Sequence, residues 1–102
     1  MMNIINDYSP NFSLRKRAKK IIKFIIIHYT GMKKESDAIK RLQDPDFKVS
    51  SHYLVKQNGD ILILVPEFYE AWHAGLSNWK NYKYLNKNSI GIEITNPGHQ
   101  YG

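Results

Sequence analysis

The 102 residues contain no cysteine. Disulfide bridges, a thiolate nucleophile and sulfur ligands for a metal are therefore excluded. No apolar run approaches the ~18–20 residues that a membrane-crossing helix needs. The opening residues, Met1 to Tyr8, lack a basic segment followed by a long apolar stretch, so no signal peptide is expected and the expected location is cytoplasmic, with the envelope as the alternative. The chain also lacks a Gly-x-Ser-x-Gly nucleophile elbow, a His-Glu-x-x-His zinc motif and a phosphate-cradling glycine loop. Internal repeats and low-complexity tracts are missing too.

Acidic residues are scarce, nine against fifteen Lys and Arg, for a net charge of +6. Much of the excess lies in Arg15-Lys16-Arg17-Ala18-Lys19-Lys20. Such a cluster suits nucleic acid, anionic lipid or an acidic polymer such as cell wall. It has neither interleaved aromatics nor a reading helix, so nucleic acid is not an expected partner. Its plainest reading is a solvated leader. Hydrophobic content of 42% with 13% aromatics belongs to a globular chain, and the length to one domain.

The chain is organised around Lys23-Phe24-Ile25-Ile26-Ile27-His28-Tyr29-Thr30-Gly31. A continuous β-branched run ending in a histidine and a small-residue turn predicts a fully buried central strand. His28 then sits at the rim of a rigid sheet, either as a hydrogen-bonded cap or as a metal ligand or proton carrier. Before it, residues 1–20 read as a polar and basic arm lying on the domain, with Pro10 excluding a helix. After it, Lys34 to Gln43 is helical in type, with Ala38, Ile39 and Leu42 on one stripe, and Asp44-Pro45-Asp46 ends it.

Val49 to Lys56 and Ile61 to Val65 are predicted strands joined by the Asn58-Gly59 turn, the strongest short hairpin signal. A long aromatic loop follows, with Trp72, His73, Gly75, Trp79, Tyr82 and Tyr84, of a length that is usually functional. Asn88 to Thr95 is the last predicted strand, before the turn Asn96-Pro97-Gly98.

Glu93 lies among isoleucines in that last strand. It either faces solvent or lines a site, where partial desolvation would suit a general base. Gly91 shares its face and leaves room above the sheet for a ligand. His73 is either packed by Trp72 or a substrate contact. His52 reads as a satisfied structural histidine, and His99 as exposed and incidental. Spacing by itself gives only weak support for a metal site.

Four segments in register resemble the zinc-dependent N-acetylmuramoyl-L-alanine amidases of the type 2 family, relatives of the peptidoglycan recognition proteins. They are Ile25-Ile26-Ile27-His28-Tyr29-Thr30; Val49-Ser50-Ser51-His52-Tyr53-Leu54-Val55 with the Asn58-Gly59 turn; Ala71-Trp72-His73-Ala74-Gly75-Leu76-Ser77; and Asn88-Ser89-Ile90-Gly91-Ile92-Glu93-Ile94. The resemblance implies an α/β fold with a mixed central sheet flanked by helices. It implies a bacterial hydrolase cleaving the amide between N-acetylmuramic acid and L-alanine in peptidoglycan or muropeptides. His28 falls on the first zinc ligand and Glu93 on the glutamate that works on the zinc-bound water.

Trp72 and His73 fall on the substrate-binding wall, and His52 on a histidine that is not a ligand. Ser51 stands where some relatives carry a catalytic tyrosine, so that role is not carried over. The family's remaining zinc ligands would lie beyond Gly102. Residues 21–102 are thus expected to be the N-terminal, incomplete portion of the domain, with an incomplete Zn2+ site. A non-catalytic peptidoglycan-binding module is the alternative.

Overall fold

In the computed structural model, residues 2–74, 78–79, 82–83 and 85–95 are described, with 78–79 and 82–83 as backbone only. Five strands form one mixed sheet: β1 (Ile4–Asn6), β3 (Phe24–Tyr29), β4 (Tyr53–Val55), β5 (Ile61–Ile63) and β9 (Ser89–Ile94), in the order β1-β5-β4-β9-β3. β4 and β5 are antiparallel across the predicted Asn-Gly turn, with Gly59 at φ 94°. The other three pairings are parallel. Two short pairs flank the sheet: β2 (Phe12–Ser13) with β6 (Glu70–Ala71), and β7 (Asn78–Trp79) with β8 (Tyr82–Lys83). The aromatic side chains expected to line the long loop at Trp79, Tyr82 and Tyr84, like Gly75, the turn at 96–98 and His99, fall outside the described residues.

The predicted helix forms as α1 (Glu35–Gln43). Glu35 and Asp37 lie in its first turn and Lys40 and Arg41 in its last, matching the helix dipole at both ends. The N-terminal segment satisfies carbonyls that a helix end leaves unpaired. Ser9 Oγ donates to Leu42 O at 2.6 Å, and Asn11 Nδ2 donates to Asp44 O at 2.9 Å and Val49 O at 2.8 Å.

Register sorts the side chains of the sheet onto two faces, because successive residues of a strand point oppositely. One face carries His28, Glu93, Leu54 and Leu62 in one row across β3, β9, β4 and β5. α1 packs here: Leu42 joins Leu54, Leu62, Leu64, Val65 and Ala71 in the core, with Phe12, Ile39, Val49 and Tyr69 against it. The opposite face carries Ile27, Ile92, Tyr53 and Ile63 in one row and Tyr29, Ile94, Val55, Ile61 and Ile4 in the next.

That second face corrects the expectation of a fully buried central strand. Among the described residues β3 is at the sheet edge, and Ile25, Ile27 and Tyr29 are 66%, 56% and 66% exposed. β-branched residues fit a pleated ladder whether or not both faces are covered, so the isoleucine run reports strand and not burial. β4 is also shorter than predicted. Ser50, Ser51 and His52 are buried and precede β4; Ser50 N–H donates to Trp72 O, whereas His52 N–H donates to Gly91 O of β9 and His52 O accepts from Leu64 N–H.

Candidate active site

β3 and β9 run parallel with His28 opposite Glu93. Two neighbouring strands therefore deliver an imidazole and a carboxylate to one spot on the α1 side. They line a cleft of about 260 Å³ with Arg41, Ser50, Trp72 and His73. Glu93 is half-buried, and desolvation raises its pKa, opposed by the positive charge of Arg41. It thus lines the cleft and does not lie on a fully solvated face. A carboxylate raised in this way is a better proton acceptor at neutral pH.

The loop after β6 brings in the other two predicted residues. Trp72 is held at both ends: its N–H donates to Ser50 Oγ at 2.9 Å and its indole Nε1–H to Ser13 Oγ at 3.0 Å. Asn86 Oδ1 accepts the backbone N–H groups of His73 at 3.1 Å and Ala74 at 2.7 Å. This fixes the loop over β9. The His73 ring then lies above Gly91, where an added Cβ would come within 2.4 Å of His73 Cγ. The room that Gly91 provides is filled by His73, not left for a ligand as the sequence suggested.

His73 joins His28 to the strand below. His28 Nε2 and His73 Nδ1 are 3.1 Å apart, and His73 Nε2 is 2.9 Å from Ser89 Oγ. Burial pushes the His73 pKa down to about 3, helped by the nearby His28, His52 and Arg17, so the ring is neutral. Burial lowers His28 as well.

His52 is structural, as expected. Its Nδ1 accepts the Gly91 N–H at 3.1 Å and its Nε2–H donates to Tyr69 O at 2.8 Å. Burial is the main reason its pKa falls.

Arg17 departs from the expectation of a solvated leader: Nε donates to Glu67 O at 3.0 Å and Nη1 to Asn86 O at 2.9 Å and Lys87 O at 3.2 Å. Burial lowers its pKa, partly offset by Glu70 and Glu67. It ties the segment after β5 to the loop that carries Asn86. Nothing in a run of basic residues distinguishes the one that turns inward.

A catalytic zinc takes about three protein ligands and an open position. His28 offers one imidazole, and both ring nitrogens of His73 are engaged by His28 and Ser89. Among the described residues no three His, Cys, Asp or Glu side chains converge as a metal site. The described donors do not make a complete zinc centre.

An imidazole and a desolvated carboxylate thus lie side by side at the rim of a mixed sheet, in a cleft also lined by Trp72. Residues 17–102 match the family described as N-acetylmuramoyl-L-alanine amidase, and the chain belongs to that family. It is 46% identical over 86 residues to the N-acetylmuramoyl-L-alanine amidase AmiD of Escherichia coli (strain K12), a match covering 78% of this chain and 30% of AmiD. Among solved structures it resembles the complex of E. coli AmiD with the substrate anhydro-N-acetylmuramic acid-L-Ala-D-γ-Glu-L-Lys. That match has a TM-score of 0.66 and 42% identity, and covers 82% of this chain and 35% of that one. A selenomethionine derivative of AmpD shares the fold, at TM-score 0.73 and 23% identity over 94% of this chain and 63% of that one. The chain thus spans about a third of the length of AmiD.

Proposed function

We propose that this chain acts on muropeptides as an N-acetylmuramoyl-L-alanine amidase, in the peptidoglycan turnover of a bacterial cytoplasm. The observation that carries the reading is the register pairing of His28 with Glu93 in one cleft, within a family of amidases. The ionised Glu93 takes a proton from water as the water oxygen bonds to the scissile carbonyl carbon. As the C–N bond breaks, the protonated Glu93 gives that proton to the departing L-alanine nitrogen. Trp72 and His73 form the wall against which the substrate lies. His28 is the described residue that would hold zinc, a metal typical of the family, but no step is assigned to the metal because its described donor set is incomplete.

The test is digestion of anhydro-N-acetylmuramic acid-L-Ala-D-γ-Glu-L-Lys in zinc-supplemented buffer, read by mass spectrometry. Release of the free tripeptide, lost in Glu93→Gln, is expected; cleavage at another bond, or equal cleavage by the variant, overturns the proposal. The incomplete donor set also favours a second reading, a module that binds peptidoglycan without cutting it. Binding to purified sacculi with no peptide released would select that reading.

A further inference from the structure

The hydrogen bonds around His73 have a direction, and that direction reaches His28. Ser89 is fully buried on β9, two residues before Gly91 and four before Glu93, so all three share one face. Its Oγ lies 2.6 Å from Leu85 O and 2.9 Å from His73 Nε2. A hydroxyl has a single hydrogen. Two oxygens 2.6 Å apart are at ordinary O–H···O distance and would repel with no proton between them. Ser89 therefore donates to Leu85 O, and its lone pair accepts from His73 Nε2–H.

A neutral imidazole carries one N–H, so His73 Nδ1 is an acceptor. The proton in its 3.1 Å contact must then belong to His28 Nε2. A neutral His28 keeps its lone pair on Nδ1.

We propose that Ser89 and His73 are positioning residues that hold His28 in one tautomer, with Nε2 protonated and Nδ1 unprotonated. The order of donation is His28 Nε2–H to His73 Nδ1, His73 Nε2–H to Ser89 Oγ, and Ser89 O–H to Leu85 O. Gly91 admits the His73 ring, since any side chain there would collide with it. A histidine that receives a proton or a Lewis acid on one nitrogen is commonly oriented by a partner on the other. Here a neutral histidine is that partner, itself oriented by a serine. The significance of this for hydrolysis rests on the amidase reading; the bond directions do not.

The test is long-range 1H–15N correlation NMR of the 102-residue protein at neutral pH, which distinguishes protonated from unprotonated ring nitrogens. We expect both His28 and His73 to show protonated Nε2 and unprotonated Nδ1. A protonated Nδ1 on either ring overturns the proposal. In Ser89→Ala the His28 pattern should change from one tautomer to a mixture, and an unchanged pattern in that variant also overturns it. Should Ser89→Ala fail to fold, the parent spectrum decides alone. Intact tautomers together with no muropeptide cleavage would count against the amidase reading and leave this inference standing.

Discussion

His28 and Glu93 are register partners on adjacent parallel strands, so the same ladder that holds β3 against β9 sets the spacing of the imidazole and the carboxylate. Sites placed on strands are held more precisely than sites on loops. Here the loop residue, His73, is fixed in turn by Asn86, Ser89 and His28. Substitutions in this assembly should therefore separate chemistry from support.

Glu93→Gln keeps the shape and removes the proton acceptor. We expect muropeptide hydrolysis to fall by about 10²–10⁴-fold, the usual contribution of a general base. The folded pKa of Glu93 is raised, so its ionised form costs stability as pH climbs through that value. The variant should be at least as stable as the parent at neutral pH, and lose that advantage below the ordinary carboxylate range near ~4.3. Urea midpoints for both proteins across pH check the sign.

Gly91→Ala should be destabilising by about 1–3 kcal/mol, as overpacking usually is, because His73 cannot stay where it is. Chemical denaturation measures the loss. A variant as stable as the parent would mean that the ring does not occupy that space.

His28, His52 and His73 all have folded pKa values below the ordinary 6.5, and His73 is near 3. The unfolded chain therefore binds more protons between those limits. The stability contributed by the neutral rings is complete above about 6.5 and is lost as pH falls toward 3, with a slope of up to about 1.4 kcal/mol per pH unit for each histidine. Denaturation midpoints should fall with acidification and fall less steeply in His73→Gln. A flat profile from pH 6.5 downward would contradict the burial of these rings.

Arg17→Ala should cost at least about 1.5–3 kcal/mol, the contribution of one hydrogen bond to a charged group, since three backbone carbonyls at a part-buried site lose a charged donor. Arg15→Ala, at an exposed position, should change stability by less than about 0.5 kcal/mol. Thermal melts of the two variants side by side distinguish an inward staple from a solvated leader.

Much of this arrangement was legible in the sequence. The isoleucine run, the α1 stripe, the Asn-Gly hairpin and the Ser89-to-Ile94 strand each carry a local signal of period or turn chemistry, and each formed. His28 and Glu93 were recognisable as polar groups inside apolar strands. Strand order was not legible, because an isoleucine-rich strand looks the same at an edge as in the centre. β1, β2 and β6 are two or three residues long and show no period to detect. Ser89 could have been found, since Ser89, Gly91 and Glu93 alternate along one face. Arg17 and Asn86 could not, because their roles depend on carbonyls and amides that only the tertiary fold brings near.

The most direct test of where the chain acts is an NMR titration of 15N-labelled Glu93→Gln with anhydro-N-acetylmuramic acid-L-Ala-D-γ-Glu-L-Lys, the variant being used so that the ligand persists. We expect shift changes at His28, Arg41, Trp72 and His73, and none at Ile25, Ile27 or the basic residues 15–20. Changes centred on the isoleucine face or the basic segment, or no change at millimolar ligand, would contradict the assignment of the His28–Glu93 cleft.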